Sequence, residues 1–238
     1  MGNLDNSHWE NTQEGHLKQY VNVFPRTGNF ILRHFKEIES SIEIGCFSAR
    51  DSRFLIKNIP DLSAVGFDRE QSIIGELKSL YAADRIKYVE GDAFKLPFQD
   101  NEFDLVFHNG LLGYFDDSDI EKLLAEHIRV AKKYVVSFNH NAANENLRKT
   151  FSEKAEKDPV FGLRFFEPDY IKKLIDPSKY GIKKVEVLKF GHWQDVLLNN
   201  SIKGIPNPFV KMLSKKLPYI YQSKPWSAIE RSATIIYL

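Results

Sequence analysis

Ser41-Ile42-Glu43-Ile44-Gly45-Cys46-Phe47-Ser48-Ala49-Arg50 reads as an apolar strand that runs into a glycine, a small-residue turn and then a helix. Three later stretches look like partners of that turn: Val65-Gly66-Phe67-Asp68, Glu90-Gly91-Asp92-Ala93 and Phe103-Asp104-Leu105-Val106-Phe107. Each carries an apolar strand and, in the first two, a glycine and an acid where the strand ends. In an α/β sheet, ligands bind at the carboxyl ends of the strands, beside the first strand. The turn after Ile44 is therefore the place to look for a site.

Working outward, strand and helix alternate strictly. Strands are expected at 42–44, 62–67, 86–90, 103–108 and 134–138, with helices near 51–58, 70–81 and 117–130. That alternation argues a doubly wound, mostly parallel α/β sheet with right-handed crossovers. Upstream, Leu17, Tyr20, Val21 and Phe24 share a helical face from about Glu10 onward. Pro25 and Gly28 should break it before a second helix with Phe30, Ile31, His34 and Phe35 turned inward. Downstream the rhythm changes. Helices are expected near 144–157 and 168–175, and strands at 183–190 and 233–238 should pair as an antiparallel edge. Between these strands, Val196 to Ile229 has no acidic residue but five lysines and four prolines. It reads as a lid-like insertion, with Phe209, Met212, Tyr219, Tyr221 and Trp226 as substrate-side candidates; a solvated cover over the sheet edge explains its lysines as well.

The totals set bounds. At 238 residues the chain suits one α/β domain. We expect 10–37 as a helical cover, 40–138 as the cofactor-binding half and 139–238 as the substrate-side half with insertion 196–229. A net charge of +1 gives no basic field for nucleic acid. One cysteine excludes an internal disulfide and a CxxC metal site and fits a reducing cytoplasm. Ligand spacing for a metal is absent, so none is expected. The N-terminus has no apolar signal region, and no apolar run is long enough for a transmembrane segment.

The first turn argues against a dinucleotide. That fingerprint needs glycines at three places so that the backbone can approach a pyrophosphate. Here the three places hold Gly45, Phe47 and Arg50. An adenosyl cofactor without phosphate tolerates this better. It still needs close approach at Gly45 and an acid for its ribose. Asp68, 23 residues after Gly45, has suitable spacing.

Residues 40–138 resemble the class I S-adenosylmethionine-dependent methyltransferases, especially the small-molecule group. The acid and alternate small positions of the family's first motif correspond to Glu43, Gly45, Phe47 and Ala49. Gly66-Phe67-Asp68 resembles the second-strand end. Gly91-Asp92-Ala93, Leu96-Pro97-Phe98 and Phe103-Asp104-Leu105-Val106 resemble the adenine loop and fourth strand, in order and at family spacing. Glu126 to Lys132 resembles the helix end before the fifth strand, though the usual glycine turn after it is missing.

The resemblance implies a Rossmann-like seven-stranded sheet with an antiparallel last strand and S-adenosylmethionine as cofactor. It implies that Gly45, Cys46 and Phe47 line the methionine part, with Glu43 organising the turn from within the strand. Asp68 would hold the ribose, with Arg69 beside it. Asp92 would take the adenine amino group, Ala93 would offer its N–H, and Phe67 or Phe94 would flank the ring. His108 and Asn109 would lie near the methionine amine and the transferring methyl. Tyr20 would close over the cofactor from the N-terminal helix. His108, Tyr114 and His140 are the candidates for catalytic proton transfer.

Blander roles stand beside these. Asp68 suits a helix cap, Asp92 a turn, and each histidine or tyrosine ordinary packing. The expected activity is methyl transfer to oxygen or nitrogen of a small-molecule acceptor. A non-catalytic cofactor-binding partner protein, a nicotinamide oxidoreductase and a protein or RNA methyltransferase are the rivals. A homodimer is the one protein partnership left open.

Overall fold

A computed structural model describes residues 23–192 and 208–238. The expected helix from Glu10, and Tyr20 with it, lies outside the described residues. The first element is α1 (Arg26–His34), followed by β1 (Ser40–Ile44), α2 (Arg50–Asn58), β2 (Ser63–Asp68), α3 (Gln71–Leu80) and β3 (Ile86–Glu90). Then come β4 (Phe103–Asn109), α4 (Asp117–Val130), β5 (Ala131–His140) and α5 (Glu145–Ala155). The chain continues with α6 (Tyr170–Leu174), α7 (Pro177–Tyr180), β6 (Lys184–Phe190), α8 (Pro208–Gln222) and β7 (Arg231–Tyr237).

The seven strands form one sheet in the order β3-β2-β1-β4-β5-β7-β6. β1 to β5 pair in parallel, and β7 runs antiparallel to both β5 and β6. This is the expected mixed sheet. Its order reverses beside β1, which is where a crevice opens in such sheets.

Both faces are covered. Ala64, Leu105, Phe107, Val136, Phe138, Ala233 and Ile235 pack toward α1, α2, α3 and α8. Ile42, Ile44, Val65, Val106, Val135 and Ile236 pack toward α4 and α6. Two-sided burial is why β4 reads as a continuous apolar run.

The turn after β1 explains what became of the missing glycines. Gly45, Phe47 and Ala49 all have positive φ, at 65°, 44° and 46°. The backbone thus keeps the left-handed shape at alternate residues although two of them carry side chains. Each such residue costs about 1–2 kcal/mol. Three hydrogen bonds hold the shape. Cys46 N donates to Phe67 O (3.0 Å), Ala49 N to Cys46 O (2.7 Å) and Phe47 N to Asp68 Oδ2 (3.0 Å).

Two expectations change. Gly28 does not break a helix but lies in the first turn of α1, where its N–H donates to Asp51 Oδ1 at 2.7 Å. A Cβ there would sit 2.9 Å from Asp51 O, so only glycine lets α1 and α2 approach this closely. His34 is exposed and stacks on Phe30, with ring centroids 3.8 Å apart. Asp116 caps α4, accepting from Asp119 N. The missing glycine turn after α4 also has a reason: α4 runs straight into β5 at Ala131.

The acid-free stretch falls partly outside the described residues. Its described portion includes α8, which packs on β6 and α1. Tyr221 is buried in the core and Trp226 packs against it, so both support the sheet rather than form a lid. Met212 and Tyr219 are exposed, and the side chain of Phe209 is outside what is described.

His108 of β4 and His127 of α4 have no exposed surface, and their rings lie 5.5 Å apart. None of their four ring nitrogens has a hydrogen-bond partner. Burial lowers His127 from its ordinary 6.5 to about 4, and burial, with His127 nearby, holds His108 well below its ordinary value. A histidine depressed in the fold stabilises fully above its unfolded value and loses that contribution as pH falls toward the folded value.

Two outcomes are expected. Between pH 7.5 and 5 the wild type should lose about 2 kcal/mol more stability than His127→Leu, measured by urea unfolding at each pH. Ala49→Gly should be neutral or stabilising by up to about 1 kcal/mol, because relief at positive φ outweighs the lost methyl and the added chain freedom.

Candidate active site

The carboxyl ends of β1, β2, β3 and β4 are neighbours, and each contributes one candidate. Gly45, just past β1, is exposed and at positive φ; a Cβ built on it would meet only Leu111 Cδ1, at 3.5 Å. It offers a bare backbone face. Asp68 ends β2, half-buried. Its Oδ2 accepts from Phe47 N at 3.0 Å and its Oδ1 from Glu70 N at 3.2 Å. Burial nevertheless raises its pKa, with no cationic partner for it among the described residues.

Asp92 follows β3 and is exposed. Its Oδ1 accepts from Phe94 N (2.9 Å), which fixes the turn and leaves Oδ2 outward. Ala93 and Phe94 are half-buried in the same turn, and Phe94 meets Phe115 edge-on at 5.3 Å. Gly91 N donates to Asp68 O, which binds this turn to the end of β2. Phe67 cannot flank a ligand. It is buried beneath Gly91, whose missing Cβ would lie 2.6 Å from its ring.

At the end of β4, Asn109 faces the same side as Glu43. Its Nδ2 donates to Thr27 Oγ1 in α1 (2.9 Å), and its buried Oδ1 has no partner. That acceptor fits an ammonium group. Glu43 is buried in β1, where its Oε2 accepts from Ser52 N and Ser52 Oγ at 3.1 and 2.6 Å. It ties the start of α2 to the strand. Burial and neighbouring Asp51 push its pKa up. Cys46 is buried against Gly66, and burial raises its thiol pKa far from a reactive thiolate. Phe47 is half-buried against the core, and exposed Arg69 pairs with Glu70 at 3.0 Å.

The adenosyl cofactor fits this row of donors and acceptors: a side-chain-free backbone at Gly45, carboxylates at Asp68 and Asp92, and the orphaned Asn109 oxygen. The proton-transfer candidates fare differently. His108 is sealed in the core beside His127, because residues 106 and 108 of β4 face α4 while 105, 107 and 109 face α1 and α2. It is neither a cofactor contact nor a base. Tyr114 donates its hydroxyl to Val160 O at 3.0 Å, which fastens the 3₁₀ turn Leu111–Tyr114 to the turn Pro159–Phe161.

His140 ends β5 on the α1 side, buried, with Nε2 3.3 Å from Arg231 Nη2. A guanidinium only donates, so Nε2 accepts and the proton sits on Nδ1. Burial and the nearby Arg231 and Arg26 depress its pKa well below the usual range. It is therefore a fixed neutral donor, not a base. Among the described residues, no group of three His, Cys, Asp or Glu side chains could hold a metal ion. No helix among them is long and apolar enough to cross a membrane.

Sequence reading missed Arg231, Arg26 and Thr27. One signal was present: Glu230 is the first acid after the acid-free stretch, and it pairs with Arg26 at 2.9 Å. The placement of Arg231 beside His140 comes from the antiparallel entry of β7, across 91 residues of chain.

Residues 42–134 match the model of a methyltransferase domain. No curated protein matches the sequence. Solved structures do resemble the fold. An S-adenosylmethionine-dependent methyltransferase from Archaeoglobus fulgidus superposes with a TM-score of 0.62 at 16% identity, covering 98% of this chain and 100% of that one. Another from Thermotoga maritima gives 0.63 at 16% identity over 97% and 98%. A geranyl diphosphate C-methyltransferase from Streptomyces coelicolor A3(2), solved with S-adenosylhomocysteine, gives 0.58 at 10% identity over 100% and 89%. Over residues 42–134 the chain thus resembles a methyltransferase domain, and it has the fold of S-adenosylmethionine-dependent methyltransferases.

Proposed function

We propose that the protein transfers a methyl group from S-adenosylmethionine to a small-molecule acceptor, with residues 139–238 forming the acceptor side. The observation that carries this is the row of Gly45, Asp68, Asp92 and Asn109 along four neighbouring strand ends. Asp68 would hold the ribose hydroxyls, and Asp92 with the Ala93 N–H the adenine edge. Asn109 Oδ1 would take the amino group of the methionine end, whose backbone cradle is Gly45.

When bound, the cofactor supplies a methyl group activated on a sulfonium sulfur. The chain's own part is alignment and exclusion of water. Asn109, held by Thr27, and the turn held by Asp68 are already ordered for this. A non-catalytic cofactor-binding protein is the alternative. Phe47 was its main support, and the turn keeps its shape despite Phe47. The setting we infer is the reducing cytoplasm, since Cys46 has no second cysteine to pair with.

Calorimetry with S-adenosylmethionine and, separately, NADH tests the reading. The first should bind and the second should not; no heat from the first overturns it. Asp68→Ala should weaken S-adenosylmethionine binding tenfold or more, about 1.4 kcal/mol. Unchanged affinity would remove Asp68 from the ribose role.

A further inference from the structure

The carboxyl end of β5 and the start of β7 hold a charged and aromatic cluster that no cofactor role absorbs. His140 and Arg231 are register partners there. Around Arg231 stand Arg26 from α1, Arg50 and Asp51 from α2, and Glu230 beside it in the chain. Arg26 pairs with Glu230 at 2.9 Å, and Arg50 lies 3.4 Å from Asp51. Arg231 has no carboxylate within ion-pairing reach among the described residues, and its buried Nε has no hydrogen-bond partner. Burial and neighbouring Arg26 lower the Arg231 pKa to about 10.

The second feature is His140 itself. With Nε2 facing Arg231, its Nδ1–H is a buried donor without a partner. The ring edge that carries it faces Gly110, the residue after Asn109. A Cβ at Gly110 would lie 3.3 Å from His140 Cε1 and 3.8 Å from Nδ1. Gly110 is itself buried, and the absence of a Cβ there spares the ring a close contact. The third feature is a wall of half-exposed rings. Phe151 and Phe165 lie 5.0 and 5.3 Å from His140, and Phe161 lies 5.5 Å from Phe151.

We propose that this cluster is the acceptor subsite, and that its acceptor is an acidic oxygen, carboxylate or phenolate, on an apolar body. The inference rests on the methyl-transfer reading above. His140 Nδ1–H and Arg231 Nε–H would donate to the acid, and Phe151, Phe161 and Phe165 would cover the apolar body. An ammonium acceptor would meet the charge of Arg231, which has no ion-pair partner among the described residues. An acid that is already ionised has given its proton to solvent, so no base is needed. A lone pair on its oxygen forms the new O–C bond as the S–C bond breaks, and that bond's electron pair stays on sulfur. One negative and one positive charge are consumed, leaving a neutral ester or ether and a neutral thioether.

The test uses three probes of similar body and different charge: 4-phenylbutyrate, 4-propylphenol and 4-phenylbutylamine. Each is titrated by calorimetry into the protein saturated with S-adenosylhomocysteine. At least one acid should bind tenfold or more tighter than the amine, and the stronger arm identifies carboxylate or phenol. Arg231→Gln should erase that preference while S-adenosylhomocysteine affinity stays within twofold. His140→Gln should weaken the preferred acid at least fivefold, and it serves as the second variant if Arg231→Gln does not fold by circular dichroism. Equal or tighter binding of the amine overturns the proposal, as does binding of none of the probes. So does a preference that survives both variants. Loss of S-adenosylhomocysteine affinity in folded Arg231→Gln would make Arg231 a cofactor anchor and overturn it too. If the wild type binds no S-adenosylhomocysteine, the methyl-transfer reading fails instead.

Discussion

One hydrogen bond, from Phe47 N–H to the Asp68 carboxylate, joins the turn after β1 to the end of β2. A bond to a charged acceptor is worth about 1.5–3 kcal/mol. The two non-glycine residues at positive φ together cost about 2–4 kcal/mol. This bond is thus of the size needed, with help from the Cys46 and Ala49 backbone bonds, to hold the turn in a shape its side chains disfavour. From that shape follow the exposed backbone at Gly45 and the entry of α2. The dock of Gly28 against Asp51 then fixes α1, and α1 brings Thr27 to Asn109 and Arg26 to Glu230.

Polar groups in this region are set by parity along the strands. On β1, β4, β5 and β7 the residues facing α1 and α2 at the carboxyl edge are Glu43, Asn109, His140 and Arg231, while the apolar residues below them on that face make the core. The sheet is dry in its middle and polar at one end. Buried polar groups with open valences, such as Asn109 Oδ1 and His140 Nδ1, are costly unless something binds them. Their concentration at one edge matches the general expectation that binding sites carry local costs which the rest of the fold offsets.

Much of this was legible in the sequence, for local reasons. Asp68 and Asp92 each lie at the end of an apolar strand with a glycine one or two residues before, and alternation of strand and helix places both at one edge. What failed was knowledge of faces. β4 is apolar on both sides, so nothing in Phe103 to His108 says which residues face α4, and His108 was read into the site when it belongs to the core. Phe47 and Ala49 looked like lost glycines because residue type was read as conformation; the backbone kept the conformation and Asp68 held it. Arg231 was invisible because its contact with His140 depends on where a distant strand inserts.

That insertion has a bearing on how the molecule forms. β7 follows β6 along the chain yet lies between β6 and β5. As a nascent polypeptide leaves the ribosome, β6 has no place in the sheet until β7 has been made, so the growing edge at β5 stays uncovered. Such pairings, distant in sequence, form slowly and leave strand edges open meanwhile. The half of the sheet that carries Gly45, Asp68 and Asp92 can assemble early, whereas Arg231 arrives only with the closing strand. The proposed cofactor site and the proposed acceptor site would thus mature at different moments in the life of the chain.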